Sequence, residues 1–230
     1  MFWNEDKQED KGYRIPDDIV DLSFAIRCKM LPLDHAYALS HALHGALPWL
    51  ADEEAAGVHL IHGAESGNGW YRPQDTSGAL LHLSRRTRMM LRVPKHRVDD
   101  ARALEGAVLD VAGNRLEISS EGTIKLLSAM STLFARHVVM ADPHMNEAAF
   151  LEQVVADMRG LGIRVNKILC GKAHDLHTPE GVVHTQSVMI ADLEPESAVL
   201  LQQKGIGPGR KMGCGLFLPH RGIKAVKETH

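Results

Sequence analysis

The chain has 230 residues, of which 44% are hydrophobic and 24% charged, and its formal net charge is −3. This composition is typical of a soluble globular protein of one large domain or two domains of about 100 residues, and it excludes a protein that coats nucleic acid through bulk charge. No apolar run approaches the ~20 residues of a membrane span, and the N-terminus lacks an apolar signal core. We therefore expect a cytoplasmic protein without a membrane partner. Three cysteines, Cys28, Cys170 and Cys214, form no paired motif, so reduced thiols without a zinc role are predicted.

The first half of the chain carries strand and helix signals in the order βαββαβ. Residues 19–30 alternate apolar and polar side chains, which indicates a half-buried strand. Pro32 interrupts this pattern, Asp34 is suited to cap a helix, and the helical pattern runs to about Leu47 before Pro48 ends it. The later segments are typical of strands at 58–61, 79–83 and 87–93, a short helix at 98–104, and a strand pair at 107–111 and 115–118.

The second half repeats this order of elements without recognisable sequence identity. Strands are predicted at 133–140, 165–169, 182–190 and 216–218, and helices at 146–161 and 196–204. The fold class is therefore α+β, with two tandem ferredoxin-like (RRM-like, βαββαβ) domains packed side by side. We expect a polar N-terminal tail over 1–17, a first domain over 18–122 and a second over 123–230.

A loop near the C-terminus is unusually rich in glycine. Its glycines are Gly205, Gly207, Gly209, Gly213 and Gly215, and two adjacent cations, Arg210 and Lys211, lie among them. Such density predicts positive φ angles or close backbone approach, whereas a helix C-terminal cap accounts for only one or two glycines. Successive unhindered N–H groups beside two cations favour binding of a phosphate-bearing ligand. The loop runs from a helix to a strand, which excludes dinucleotide-binding and Walker loops.

A second candidate for phosphate contacts is the strongly basic segment 72–97. Its cations are Arg72, Arg85, Arg86, Arg88, Arg92, Lys95 and Arg97, against the single acid Asp75. Such a segment can bind the phosphates of a defined ligand, or it can be a solvated strand face whose counter-charges lie elsewhere. The sequence leaves both interpretations open.

The first predicted helix carries three histidines. At about 100° per residue, Leu39, Leu43, Ala46, Leu47 and Leu50 share one face, while Tyr37, His41 and His44 share the opposite face. His35 falls near the apolar edge and is interpreted as structural. An exposed helical histidine is most often an ordinary surface residue.

Three features together resemble the CRISPR repeat-processing endoribonucleases of the Cas-six type, within the repeat-associated (RAMP) superfamily. They are the signature formed by Gly205-Ile206-Gly207 and Gly213-Cys214-Gly215, the Leu31-Pro32 break followed by a helix with His35, Tyr37, Leu39 and Ser40, and the tandem domain order. The resemblance implies an endoribonuclease that cuts precursor CRISPR RNA within each repeat by RNA phosphodiester transesterification. It implies no metal ion and no cofactor, and products with a 5′-hydroxyl and a 2′,3′-cyclic phosphate.

The resemblance also assigns roles to the candidate residues. It places the general base at His44, with His41 as the close second and Tyr37 as a hydrogen-bond donor in the same row. The implied partner is the repeat stem-loop of precursor CRISPR RNA, and other Cas effector subunits are reached through the bound crRNA. The expected RNA-binding residues are Gly205, Gly207, Gly209, Arg210, Lys211, Gly213 and Gly215, with Arg85, Arg86, Arg88 and Arg92.

Two alternative functions share part of this pattern. A non-cleaving RAMP subunit shares the glycine signature and holds crRNA in an effector complex, but a histidine-rich first helix argues against it. A two-histidine phosphoesterase needs two His-x-(Ser/Thr) motifs, and only His82-Leu83-Ser84 qualifies. The remaining histidines, among them His174, His177 and His184, fit no standard zinc spacing, and both an RNA contact and ordinary surface placement stay open for them.

Overall fold

A computed structural model of the chain describes residues 13–62, 79–119 and 122–220. Most of the predicted N-terminal tail, and Arg72 and Asp75 of the basic segment, lie outside this part. The elements of the first half are β1 (Ile19–Arg27), β2 (Met30–Pro32), α1 (Ala36–Ala46), β3 (Gly57–Val58), β4 (Leu80–His82), β5 (Arg88–Pro94), α2 (Val98–Ala101), β6 (Val108–Val111), β7 (Asn114–Ile118) and β8 (Thr123–Leu126). Those of the second half are β9 (Leu133–Val139), α3 (Glu147–Gly160), β10 (Lys167–Thr178), β11 (Gly181–Ala191), α4 (Pro195–Lys204) and β12 (Leu218–Pro219).

The first sheet is built around β1. This strand pairs antiparallel with β5 along one edge, and with β8 and then β7 along the other. Its alternate residues Val20, Leu22, Phe24 and Ile26 lie in one core with the apolar face of α1, as predicted. Asp21 and Ser23 on the other face are buried as well, so the strand is not half-buried as the alternation predicted. The order β3-β5-β1-β7-β6 follows from these pairings. Residues 80–82, predicted as a sheet strand, pair instead with β2 in a separate two-stranded sheet.

The second sheet has the order β10-β11-β9-β12, and all neighbours are antiparallel. Helix α3 buries Phe150, Val154 and Met158 in the core of this domain. The helix begins where the Asn146 side chain accepts a hydrogen bond from the Ala149 N–H, a typical N-cap that leaves one fewer terminal donor unsatisfied.

The two sheets share one topology. In each, the first strand of the βαββαβ unit lies between the third and fourth strands, and the second strand pairs with the third: β1 corresponds to β9, β5 to β11 and β3 to β10. The predicted tandem ferredoxin-like fold is confirmed. The domain limits stay a prediction. Strand β8, which falls directly after the expected boundary at residue 122, pairs with β1 of the first sheet.

A buried arginine joins the two halves, and this corrects a prediction. Arg92 of β5 is fully buried, with Nε and Nη2 bonded to the two carboxylate oxygens of Asp21. Its Nη1 donates to the carbonyl oxygens of Gln202 and Phe217 in the second half, at 2.7 and 3.1 Å. The predicted RNA contact of Arg92 is therefore wrong, because its donors are directed into the interior between the domains.

None of the helices in the described ranges is long and apolar enough to cross a membrane.

Candidate active site

Helix α1 presents the predicted histidine row. Alanine and leucine, which have high helix propensity, supply most of its residues, and Pro48 prevents it from continuing. Ala36, Leu39 and Leu43 are buried, as is Ser40, whereas Ala46, predicted to lie on the apolar face, is exposed. The helix contacts the turn Arg210–Met212 of the glycine loop and strand β10. The histidine-bearing helix and the glycine loop are thus neighbours in space.

His44 is held in a defined orientation. Its Nδ1 lies 2.7 Å from the carbonyl oxygen of Ser40, one turn earlier in α1. A carbonyl oxygen only accepts hydrogen bonds, so Nδ1 carries the proton and Nε2 of the neutral ring carries the lone pair. The side chain is half-buried. This arrangement fixes the tautomer that a general base needs and leaves Nε2 for a reacting group.

His41 and Tyr37 form the rest of the row. Their rings stack, with centroids 5.8 Å apart and an interplanar angle of 17°. His41 is exposed and Tyr37 half-buried. The contact orients the His41 ring on the same face of α1 as His44.

His35 has the structural role that was expected of it. It is buried, with Nδ1 2.9 Å from the carbonyl oxygen of Pro32 and Nε2 accepting the Ile61 N–H at 3.1 Å. Both ring nitrogens therefore tie α1 to the segments on either side of it. His35, and not Asp34, occupies the N-cap position, and it makes no side-chain cap hydrogen bond.

All five glycines of the loop adopt positive φ, as predicted, with values between 63° and 85°. The backbones around Gly205 and Gly215 also approach each other closely. A Cβ on Gly205 would overlap the carbonyl oxygen of Gly215, and a Cβ on Gly215 would overlap that of Ile206. The Gly215 N–H donates to the carbonyl oxygen of His137 in β9 at 2.7 Å, which fastens the loop to the second sheet. Cys214 is buried beside Ala36 of α1, and burial raises the pKa of its thiol to about 12. The loop is therefore packed against α1 and bonded to the second sheet.

Arg210 and Lys211 fasten this loop to the first domain. Arg210 donates to the carbonyl oxygens of Ala55, Gln203 and Lys204, and Lys211 to those of Glu53 and Ala56. Burial lowers the pKa of Arg210 to about 10 and, with the nearby Arg210 charge, lowers that of Lys211. The phosphate contact predicted for these cations stays a prediction. The structure shows Nη1 and Nη2 of Arg210 and Nζ of Lys211 bonded to the protein's own backbone, whereas Nε of Arg210 is buried without a hydrogen-bond partner among the described residues.

Arg85, Arg86 and Arg88 are exposed at the turn into β5, so they retain the access that Arg92 lacks. Arg85 lines an open cleft of about 920 Å³ beyond the end of β1. Among the described residues, three further cations line it, namely Arg27, Lys29 and Arg115, together with one acid, Glu117. Sequence reasoning missed these three because they are scattered along the chain and converge only through the pairing of β1 with β7.

Sequence reasoning also missed a histidine–carboxylate pair beside α1. Asp34 was interpreted as a helix cap, but its Oδ2 lies 2.8 Å from Nδ1 of His177 in β10 and accepts the backbone N–H of the same residue, also at 2.8 Å. No local signal links two residues 143 positions apart. Within the described ranges, no group of three or more His, Cys, Asp or Glu residues is arranged to hold a metal ion.

Two tandem ferredoxin-like domains, with a glycine loop in contact with a histidine-bearing helix, define a protein of the RAMP type. Residues 20–222 match the sequence model of a family described as Cas6 Crispr. The chain is 32% identical over 200 residues to the CRISPR-associated endonuclease Cas6 of Myxococcus xanthus (strain DK1622), which covers 87% of this chain and 81% of that protein. The chain therefore belongs to the Cas6 family.

Solved structures agree in fold. A structure titled CRISPR associated protein Cas6 has a TM-score of 0.60 at 11% identity, covering 88% of this chain and 99% of that one. One titled An RAMP protein binding different RNA substrates has a TM-score of 0.54 at 11% identity, with 87% and 98% coverage. A Cas6-related protein from Pyrococcus furiosus has a TM-score of 0.52 at 9% identity, with 92% and 100% coverage.

Proposed function

We propose that this chain is a metal-independent endoribonuclease that cleaves precursor CRISPR RNA within the repeat and leaves a 5′-hydroxyl and a 2′,3′-cyclic phosphate. Membership of the Cas6 family and likeness to an endonuclease of that family support the substrate class. The observation that carries the chemistry is the hydrogen bond from His44 Nδ1 to the Ser40 carbonyl, which directs the basic nitrogen away from the helix. The mature RNA then passes to an effector complex in the cytoplasm.

In the proposed reaction, Nε2 of His44 takes the proton of a ribose 2′-hydroxyl. The 2′-oxygen attacks the adjacent phosphorus as the bond from phosphorus to the 5′-oxygen breaks, which closes the cyclic phosphate. The leaving 5′-oxygen receives a proton, and His41 on the same helix face is the candidate donor. Positioned acid–base catalysis of this kind contributes about 10² to 10⁴ in rate for each group.

Binding in this proposal depends on backbone shape and phosphates. The major groove of an A-form stem is too narrow for side chains to read, so a stem-loop is held mainly through its phosphates and its unpaired flanks. The exposed Arg85, Arg86 and Arg88 supply cations for this purpose, and Gly207 exposes backbone on the glycine loop. Aromatic residues make up only 5% of the chain, which argues against base stacking as the main source of affinity.

An assay in EDTA tests the proposal. The substrate is an end-labelled synthetic RNA with the CRISPR repeat of the source organism, and a matched RNA with a single 2′-deoxy nucleotide at the cut site is the control. We expect one cut in the first RNA, with a 2′,3′-cyclic phosphate on the 5′ fragment, and no cut in the second. Binding without cleavage would overturn the proposal in favour of the non-cleaving RAMP subunit, and cleavage of the 2′-deoxy control would overturn the mechanism.

A further inference from the structure

The pair formed by His177 and Asp34 fixes the orientation of an exposed imidazole. A carboxylate only accepts hydrogen bonds, so the 2.8 Å contact assigns a proton to Nδ1 of His177 and leaves Nε2 for an outside partner. The second bond to Asp34, from the His177 backbone N–H, holds the strand itself in place. The ring is thereby fixed at both its backbone and its side chain, as the histidine of a catalytic triad is fixed by its aspartate.

The burial of the two partners is opposite. The side chain of Asp34 is 18% exposed, whereas that of His177 is 64% exposed. The second carboxylate oxygen of Asp34, Oδ1, is buried and accepts no hydrogen bond from any residue that the structure describes. A purely structural pair would be expected to bury the imidazole as well, as happens at His35. Here the carboxylate is inside and the ring is presented to solvent.

The pair lies where the candidate active site meets the second domain. Asp34 comes two residues before α1, and the first residue of that helix, Ala36, packs with Leu176 of β10 and Cys214 of the glycine loop. From Ala36 to His44 the helix rises about 12 Å, so the pair lies beside the N-terminal end of α1 and His44 lies near its C-terminal end. An RNA strand that runs along α1 from His44 towards Ala36 would approach the pair.

We propose that His177 is an additional RNA contact, whose Nε2–H donates to a backbone phosphate one or a few nucleotides from the scissile one. This rests on the proposed binding of repeat RNA at α1 and specifies a second point at which the strand is held. With Nδ1 bonded to Asp34, the imidazolium form of His177 donates from both nitrogens and bridges the protein carboxylate to the RNA phosphate. The contact links the second domain to the helix that carries the base.

The same hairpin offers a matched control. His184 of β11 bonds Asp175 of β10 through Nδ1 at 2.8 Å, and these residues face each other across the two strands. Its Nδ1–oxygen distance equals that of the His177 pair, but both partners belong to the hairpin, whereas Asp34 of the His177 pair lies two residues before α1. A general effect of removing a hairpin imidazole will appear at both positions, whereas the proposed contact belongs to His177 alone.

The experiment combines His177→Asn with RNAs that carry one uncharged methylphosphonate at successive positions. Asparagine keeps an N–H donor near Nδ1 for Asp34 but has nothing at the place of Nε2. The RNA is the source organism's repeat with a 2′-deoxy nucleotide at the cut site, and affinity is measured by filter binding. For the wild-type protein we expect one position beside the cut to weaken binding about tenfold, the size of one charge-assisted hydrogen bond.

In His177→Asn that position-specific loss should disappear, while His184→Asn should retain it. His177→Gln, whose amide reaches toward the place of Nε2, should retain part of it and serves as the second variant if His177→Asn does not fold. If each methylphosphonate position weakens binding equally in the wild-type protein and in both His177 variants, the proposed contact is overturned. Failure of this contact is distinguishable from failure of the proposed function. If no phosphate position depends on His177 but the repeat RNA is cleaved normally, only the contact is refuted. If one phosphate position depends on His177 but the repeat RNA is not cleaved, only the proposed endoribonuclease activity is refuted.

Discussion

Arg92 holds both carboxylate oxygens of Asp21, at 2.8 Å from Nε and 2.9 Å from Nη2, with the arginine side chain wholly removed from solvent. His59 approaches the same carboxylate, its Nε2 lying 3.2 Å from Oδ1. The guanidinium also bonds two carbonyl oxygens of the second domain. This buried ion pair therefore connects the two domains, in addition to the bonds that Arg210 and Lys211 of the glycine loop make to the first domain.

Replacing Arg92 by methionine should destabilise the protein by about 3–5 kcal/mol, because it leaves the Asp21 carboxylate buried without its charge partner. Urea unfolding followed by circular dichroism measures the loss. The control is Arg88→Met, which removes an exposed arginine from the same strand and should change the free energy of unfolding by less than about 0.5 kcal/mol. Equal losses in the two variants would show that the buried pair does not join the domains.

The same cluster predicts that stability falls in acid in two steps. Burial lowers the pKa of His59, so between that pKa and about 6.5 the unfolded chain binds a proton that the folded chain does not, and stability falls as the pH drops below about 6.5. Burial alone would raise the pKa of Asp21, but His59 and Arg92 hold it below its usual range. The stability that ionised Asp21 contributes is complete above about pH 3.9, the pKa of an aspartate in the unfolded chain. It is lost as the pH falls through the pKa of Asp21 in the folded protein.

Urea midpoints measured from about pH 8 to pH 3 check both steps. The midpoint of His59→Gln should fall less than that of the wild type between about pH 7 and pH 5, and the midpoint of Asp21→Asn should fall less below about pH 4. Parallel pH curves for all three proteins would contradict the assignment.

Arg92 also shows why part of the fold escaped sequence reasoning. Alternation along β1 and β5 identified the face that packs on α1, and the core residues Leu22 and Leu91 follow from it. The opposite face, which carries Asp21 and Arg92, has the polar composition of a solvated surface. The second domain covers this face. The alternation of apolar and polar residues along a strand identifies the face in the core, but it does not show what covers the opposite face. Basic residues in one segment were therefore treated alike, although Arg88 is exposed and Arg92 is buried.

Local chemistry was predicted better than distant pairing. The glycine loop was foreseen because positive φ is a property of the residue itself, and His35 because it falls near the apolar face of one helix. Strand β8 was missed because every one of its residues is exposed and it is defined by backbone pairing to β1. Asp34 is a residue type that often caps helices. Only the fold shows that its carboxylate is hydrogen-bonded to His177 of the second domain.

His44→Ala should slow single-turnover cleavage of the repeat RNA by about 10² to 10⁴, as expected for the loss of a general base, and change affinity by only a few-fold. His144→Ala is the control, since it removes an exposed imidazole from the loop between β9 and α3 and should cleave at close to the wild-type rate. A larger loss in His41→Ala than in His44→Ala would reverse the assignment of the base.

Arg85, Arg86 and Arg88 should contribute to the salt dependence of RNA binding. Changing all three to glutamine should reduce the slope of log affinity against log salt by up to about 2–3, because each phosphate contact contributes about 0.7–0.9. Filter binding between about 50 and 200 mM salt measures the slope. Arg102→Gln, another exposed arginine of the first domain, is the control. An unchanged slope in the triple variant would exclude these residues from the RNA interface.

The glycine loop makes a prediction about two glycines with nearly the same φ. Gly207 and Gly215 have φ of 64° and 65°, values that alanine adopts only with strain. A Cβ at Gly207 meets nothing within 4 Å in the structure, whereas at Gly215 it would collide with the backbone of Ile206. Gly207→Ala should therefore fold with a modestly lowered urea midpoint, and Gly215→Ala should lose at least twice as much stability or fail to fold. Equal midpoints would mean that conformation alone, and not the close backbone approach, requires glycine at residue 215.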